Sequence, residues 1–283
     1  MKVTEQITAT SLTSQVQQWL RQPTAVSLLH RFDHALNLID AHGHIISVVH
    51  PSIGPGPFSI VVDEKRPFPT TITPATPVQK SSHTLHIGPL HINLRPARLW
   101  QPTPRWALLR EQQNEWLSLL PELETAVAQN QARLTEGSPA PFARQFYTAT
   151  RAVRVALAHP DAAGLETAVA QLAGLGPGFT PAGDDFLLGL LLGLWATRSE
   201  VVTVRLAELV LETAVPRTTQ LSTAWLQAAG RGEAWRPWHS LVDALSAGLD
   251  WQLPVQRILN QGATSGIAAL QGFMTAVSCR PTP

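Results

Sequence analysis

Two textures of apolar and polar positions divide the chain near residue 100. Short apolar runs, rich in β-branched residues, recur at 25–29, 35–39, 45–49, 58–62, 84–87 and 91–94. Turn residues separate them, as in Asp40-Ala41-His42-Gly43 and Gly54-Pro55-Gly56-Pro57. Runs of this length, punctuated in this way, read as strands of a small antiparallel barrel or sandwich. The proline-rich stretch 65–77 reads as loop. Beyond Arg105 the spacing becomes helical, with Leu109, Trp116, Leu120 and Leu123 on one stripe. Helices are expected over 142–157, 165–172, 186–196, 201–214, 218–229, 239–249 and 264–277, the fourth stopping before Pro216. The predicted fold class is therefore α+β: an N-terminal antiparallel β barrel or sandwich over 1–100, packed on a C-terminal all-helical domain over 101–283. Gly189 and Gly193, four apart, give one helix a smooth face for close packing.

The densest local signal is the run Gly174-Leu175-Gly176-Pro177-Gly178-Phe179-Thr180-Pro181-Ala182-Gly183-Asp184-Asp185, followed at once by the apolar segment 186–196. It reads as a backbone-rich loop feeding a buried helix, with Thr180 as N-cap and Pro181 as first helical residue. Such a helix start presents free N–H groups and a positive dipole end to an anion, so Gly178, Thr180 and Gly183 are candidate anion-binding positions. Asp184 and Asp185 would repel a bare anion. They fit beside one if a hard cation such as Mg²⁺ lies between, or if one of them orients a basic side chain. An elaborate helix cap is the plainer alternative. The run is not a P-loop, since the Lys-Ser/Thr pair is missing, and no clear strand precedes it as a dinucleotide fingerprint requires.

Two further helix starts carry hydroxyls. Arg217-Thr218-Thr219-Gln220-Leu221-Ser222 offers a guanidinium suited to a carboxylate or phosphate, and Thr218 and Ser222 share a helix face if both are helical. Gly262-Ala263-Thr264-Ser265-Gly266 turns into an alanine-rich helix whose N-terminus suits an anion. Each alone is equally well a cap.

The run 176–185 resembles the signature of a bacterial family that includes the AllH-type subunit of oxamate carbamoyltransferase. The stretches 218–222, 262–266 and Gly54-Pro55-Gly56-Pro57-Phe58-Ser59 agree with it, so the resemblance covers most of the chain. It implies a subunit of a multi-chain enzyme that transfers carbamoyl between carbamoyl phosphate and oxamate, or runs oxalurate plus phosphate in reverse, in allantoin and purine catabolism. On that implication Asp184 and Asp185 are the catalytic candidates, as Mg²⁺ ligands or as proton acceptors. Gly178, Thr180, Gly183, Arg217, Thr218, Thr219, Ser222, Thr264 and Ser265 become candidates for holding small anionic substrates. Mg²⁺ is the one candidate cofactor, with no organic cofactor expected. Two other readings stand beside it: a non-catalytic interaction subunit, and a metal-dependent hydrolase using the aspartate pair.

Composition narrows the partners. Charged residues make up only 14% against 44% apolar, which suggests surface covered by other subunits. The net charge of +1 comes from scattered arginines with no basic stripe, so nucleic acid is not expected. The single cysteine, Cys279, allows no intrachain disulfide and suits a reducing cytoplasm. No apolar run is long enough to span a bilayer, and residues 1–13 lack a signal-peptide core. Of the ten histidines, eight fall between His30 and His91. Without cysteine nearby, and with strand alternation separating His83 from His86, they read as strand and turn residues rather than a zinc set.

Overall fold

The computed structural model describes residues 5–136, 139–159 and 161–279. Residues 1–4 and 280–283, the outer ends of the two expected domains, lie outside them. The chain divides into two units, residues 1–102 and 103–283, an α+β architecture of one sheet unit and one helical unit.

Nine strands build the first unit: β1 (Glu5–Leu12), β2 (Val26–Arg31), β3 (Ala35–Asp40), β4 (Ile45–Val49), β5 (Ser59–Val62), β6 (Val78–Lys80), β7 (Thr84–Ile87), β8 (Leu90–Asn93) and β9 (Arg98–Leu99). They hydrogen-bond in the order β2-β3-β4-β5-β1-β8-β7-β6, with β9 on β1, and the two ends, β2 and β6, approach each other to leave a nearly closed barrel. The sheet is mixed, which corrects the antiparallel expectation. β1 runs parallel to β8 and to β9, and β4 parallel to β5. The remaining pairs are antiparallel, such as the β2–β3–β4 meander. Two of the three parallel pairs involve β1, which takes the centre of the order although its sequence is distant from both neighbours. β4 and β5 are buried at every position, as strands covered on both faces are. Helix α1 (Ser14–Arg21) follows β1. Thr13 caps it through Val16 N–H, and it buries Val16, Trp19 and Leu20. The Trp19 indole donates to Asp40 at 2.9 Å.

Some histidines of this unit sit in pairs: His34 meets His50 at 2.8 Å between Nδ1 atoms, and the His86 ring lies tilted against His91 across β7 and β8. Among the described residues no three of His, Cys, Asp and Glu gather as a metal-binding group.

The second unit is all helical. Its helices are α2 (Trp106–Glu111), α3 (Gln113–Trp116), α4 (Leu120–Ala128), α5 (Gln131–Thr135), α6 (Ala140–Ala158), α7 (Ala162–Leu172), α8 (Ala182–Thr197), α9 (Glu200–Ala214), α10 (Gln220–Gly230), α11 (Arg236–Ala247), α12 (Gln252–Leu259) and α13 (Ser265–Ser278). No helix among the described residues is long and apolar enough to cross a membrane.

The core is built around α8. All its residues but Leu188 are buried, so it is apolar around its whole circumference rather than along one stripe. Its principal neighbour is α13, buried from Gly266 to Val277 except at Gln271. The two helices touch backbone to backbone. A Cβ on Gly189 would fall inside the carbonyl of Ala269, and one on Gly272 inside the carbonyl of Phe186. Gly193 meets the Phe273 carbonyl in the same way, which bears out the close-packing face expected of Gly189 and Gly193.

Gly189→Ala should therefore force the pair apart and cost about 3 kcal/mol or more, since carbonyl groups cannot yield as a side-chain end can. Chemical denaturation of the purified variant measures this. A loss below about 0.5 kcal/mol would show that α8 and α13 separate freely.

Candidate functional site

The run 174–185 links α7 to α8. Leu175 N–H closes the end of α7 on the Leu172 carbonyl at 2.9 Å, and Gly183 N–H returns to Leu175 at 2.9 Å. Gly174 has φ +70°, and its missing side chain admits the Arg217 carbonyl, 2.5 Å from where a Cβ would stand. The loop thereby lies against the segment that opens α10.

The helix start differs from expectation in one respect. α8 begins at Ala182 with Pro181 as its cap residue, and no side chain caps it. Thr180 is not the N-cap, because its hydroxyl lies 3.2 Å from that of Ser265, at the start of α13. A tertiary partner has taken the group that a local cap would have used. The second helix start also shifts. Thr219 is the N-cap of α10, accepting from Ser222 N–H at 3.1 Å, and it donates to the Phe179 carbonyl at 2.7 Å. Thr218 precedes the helix, so it and Ser222 do not share a helical face as predicted.

Three helix N-termini, those of α8, α10 and α13, are thus tied together by Thr180–Ser265, Thr219–Phe179 and Thr218–Asp184. The two aspartates stand in the first turn of α8, both buried. Asp184 is fully engaged: Gly174 N–H donates to Oδ1 at 2.8 Å, and the Thr218 hydroxyl donates to Oδ2. Ser222 stands beside it and favours its charged form, yet the Ser222 hydroxyl is buried with no hydrogen-bond partner. Burial nonetheless raises the Asp184 pKa against those donors. For Asp185 burial dominates. It pushes the carboxyl up to about 8, the neighbouring Asp184 charge adds to the rise, and Ser265 opposes it. Asp185 Oδ2 is buried without a hydrogen-bond partner among the described residues.

The other predicted residues fall around this centre. Gly178 has φ +97° and open space where a side chain would be, and Phe179 beside it is 50% exposed. Gly183 is needed for packing, since a Cβ there would overlap the Leu172 carbonyl. Thr264 is the cap residue of α13, but its hydroxyl makes no cap bond. Arg217 is exposed and donates to the Thr213 carbonyl at 2.6 Å, near the end of α9, rather than to either aspartate. Sequence reasoning did not single out the Gly174 N–H, a donor to Asp184, and a glycine opening the run was its only signal. As a metal site the arrangement offers little. Both oxygens of Asp184 already accept from donors, leaving Asp185 as the free carboxylate, whereas Mg²⁺ seeks six oxygens.

The pattern of the family described as oxamate carbamoyltransferase subunit AllH matches residues 172–277, the part that holds all three helix starts. The AllH family N-terminal domain matches residues 8–99, the sheet unit. The chain belongs to the AllH family. Neither the curated proteins nor the solved structures compared with it give a match.

The raised Asp185 pKa sets a sign for stability. A carboxyl whose folded pKa lies above its unfolded value holds its proton more tightly when folded. Its contribution is fully present below the unfolded pKa, near 4, and is lost as pH rises towards about 8. Asp185→Asn removes that loss. The variant should be more stable than the parent above pH 8, by up to a few kcal/mol, with the advantage shrinking towards pH 5. Denaturation midpoints across this range test it, and a constant difference between the two proteins would contradict the assignment.

Proposed function

We propose that this chain supplies the proton-transfer group of a carbamoyl transfer between carbamoyl phosphate and oxamate, within a complex of several subunits. The observation that carries the reading is the Asp185 carboxyl. It is buried, held near neutral pKa, and has one oxygen without a partner where three helix starts meet.

The chemistry needs such a group. In the forward direction the oxamate nitrogen attacks the carbamoyl carbon. A C–N bond forms, the C–O bond to phosphate breaks, and phosphate leaves with the electron pair. The nitrogen must shed a proton, which the Asp185 carboxylate accepts. In reverse, phosphate attacks the carbamoyl carbon of oxalurate, and the leaving oxamate nitrogen collects a proton from neutral Asp185. A group titrating near the working pH serves both directions, because both its forms are populated. Asp184 acts through Asp185: its charge raises the neighbour and its hydrogen bonds fix the turn. The α8, α10 and α13 N-termini contribute positive dipole ends that favour the substrates' carboxylate and phosphate.

Other subunits fit the exposed apolar positions of this unit. Val201, Val202 and Val204 on α9, and Leu249 and Leu253 around the start of α12, stand open to solvent.

Asp185→Asn should leave folding and assembly intact while lowering oxalurate phosphorolysis by the complete complex at least about a hundredfold. The assay follows oxamate or carbamoyl phosphate formation, with size-exclusion chromatography to confirm assembly. An assembled variant that keeps full activity would remove Asp185 from the chemistry.

A further inference from the structure

A cavity lies in the helical unit, and neither aspartate lines it. It encloses about 540 Å³ between α4, α6 and α13, within the range of small-molecule sites. Its floor is apolar: Phe186 of α8, Met274 of α13 and Val127 of α4, all buried. Its rim is donor-rich. Arg151 and Arg154, three apart on α6, both line it, and neither guanidinium has an ion pair or hydrogen bond among the described residues. Gln271, on α13, is half-buried, and its side-chain amide makes no hydrogen bond among the described residues. The one acidic group of the lining, Glu124, already accepts from the Ser278 hydroxyl at 2.9 Å. Along α6 itself, from Ala140 to Ala158, three arginines occur and no acidic residue.

The geometry points to a binding site here for a small anion that carries an apolar body, a phosphate monoester or a carboxylate. Unpaired guanidinium groups hold such a head group through charge-assisted, often bidentate, hydrogen bonds. The Gln271 amide adds a neutral donor, and the Phe186–Met274 floor receives the apolar part. The position has a consequence for the first site. Phe186 follows Asp185 directly, and Gln271 and Met274 lie on the helix that begins at Ser265, so an occupant rests on the two helices that carry the aspartate turn and its partner.

Calorimetric titration of the full chain with phenyl phosphate and with benzoate tests this, the two probes separating a phosphate from a carboxylate preference. Saturable binding of at least one is expected. Arg151→Gln/Arg154→Gln should weaken it at least about tenfold, the loss of charge-assisted hydrogen bonds, while circular dichroism shows the helices kept. Asp185→Asn should bind the probe as the parent does. Three outcomes would overturn the site: no saturable binding of either probe, equal binding by the double arginine variant, or binding abolished by Asp185→Asn.

Discussion

The backbone contact between α8 and α13 is the constraint on which the helical unit depends. Helices normally hold their axes apart by side chains. Here Gly189, Gly193 and Gly272 remove the side chains, and carbonyl groups of the partner occupy the space. Gly189 faces Ala269 and Gly193 faces Phe273, so the helices run in the same direction. Both N-termini therefore lie at one end, where the Thr180–Ser265 contact joins them. A helix buried around its circumference has little freedom to slide or rotate. Its first turn is accordingly presented in a fixed place, and that turn carries Asp184 and Asp185.

Adjacent residues in one helical turn have been given opposite circumstances. Asp184 has a backbone donor and a hydroxyl donor on its two oxygens, which partly offset the cost of burial. It works as a fastener between the Gly174 loop and the segment before α10. Asp185 has no such pair of donors, and it also feels the charge beside it. Two neighbouring carboxyls whose surroundings separate their roles are a recurring way of making one acid structural and the other reactive. Packing arguments do not account for Asp185: an apolar residue of similar size would fill the place without an orphaned oxygen.

Much of this was legible in the sequence, for local reasons. The runs at 35–39 and 45–49 reappear as β3 and β4, and the helix expected over 201–214 as Glu200–Ala214. What failed was non-local. β1, with the sequence EQITATSL, buries only a few apolar side chains and lacks a strong strand pattern, yet it occupies the middle of the sheet. Its parallel pairing with β8 joins residues 85 positions apart, which no local pattern encodes. The Thr180 cap failed for the same reason: a Thr-Pro pair before a helix suits a local cap, but the hydroxyl found a partner at Ser265. The convergence of the Thr180, Thr218 and Thr264 segments could be suspected because each joins a hydroxyl to a helix start. Which hydroxyl meets which partner could not be read, since it follows from the α8–α13 register.

The two aspartates also interact: the Asp184 charge adds to the rise that burial sets at Asp185. Hydrogen bonds from Gly174 and Thr218 favour the charged form of Asp184, and that charge raises Asp185. If the segment 217–219 draws back, Asp184 loses a donor and more readily takes up a proton. Its charge then no longer opposes ionisation of Asp185, whose pKa falls. A proton added at the first carboxyl thus makes the second a readier anion, as expected of coupled sites. The coupling runs through Thr218, beside the loop that Thr219 ties at Phe179. Phe179 is half exposed, so the loop is open to solvent at the point where Thr219 ties it. The same hydrogen bonds that hold the three helix starts together therefore also govern the acid among them.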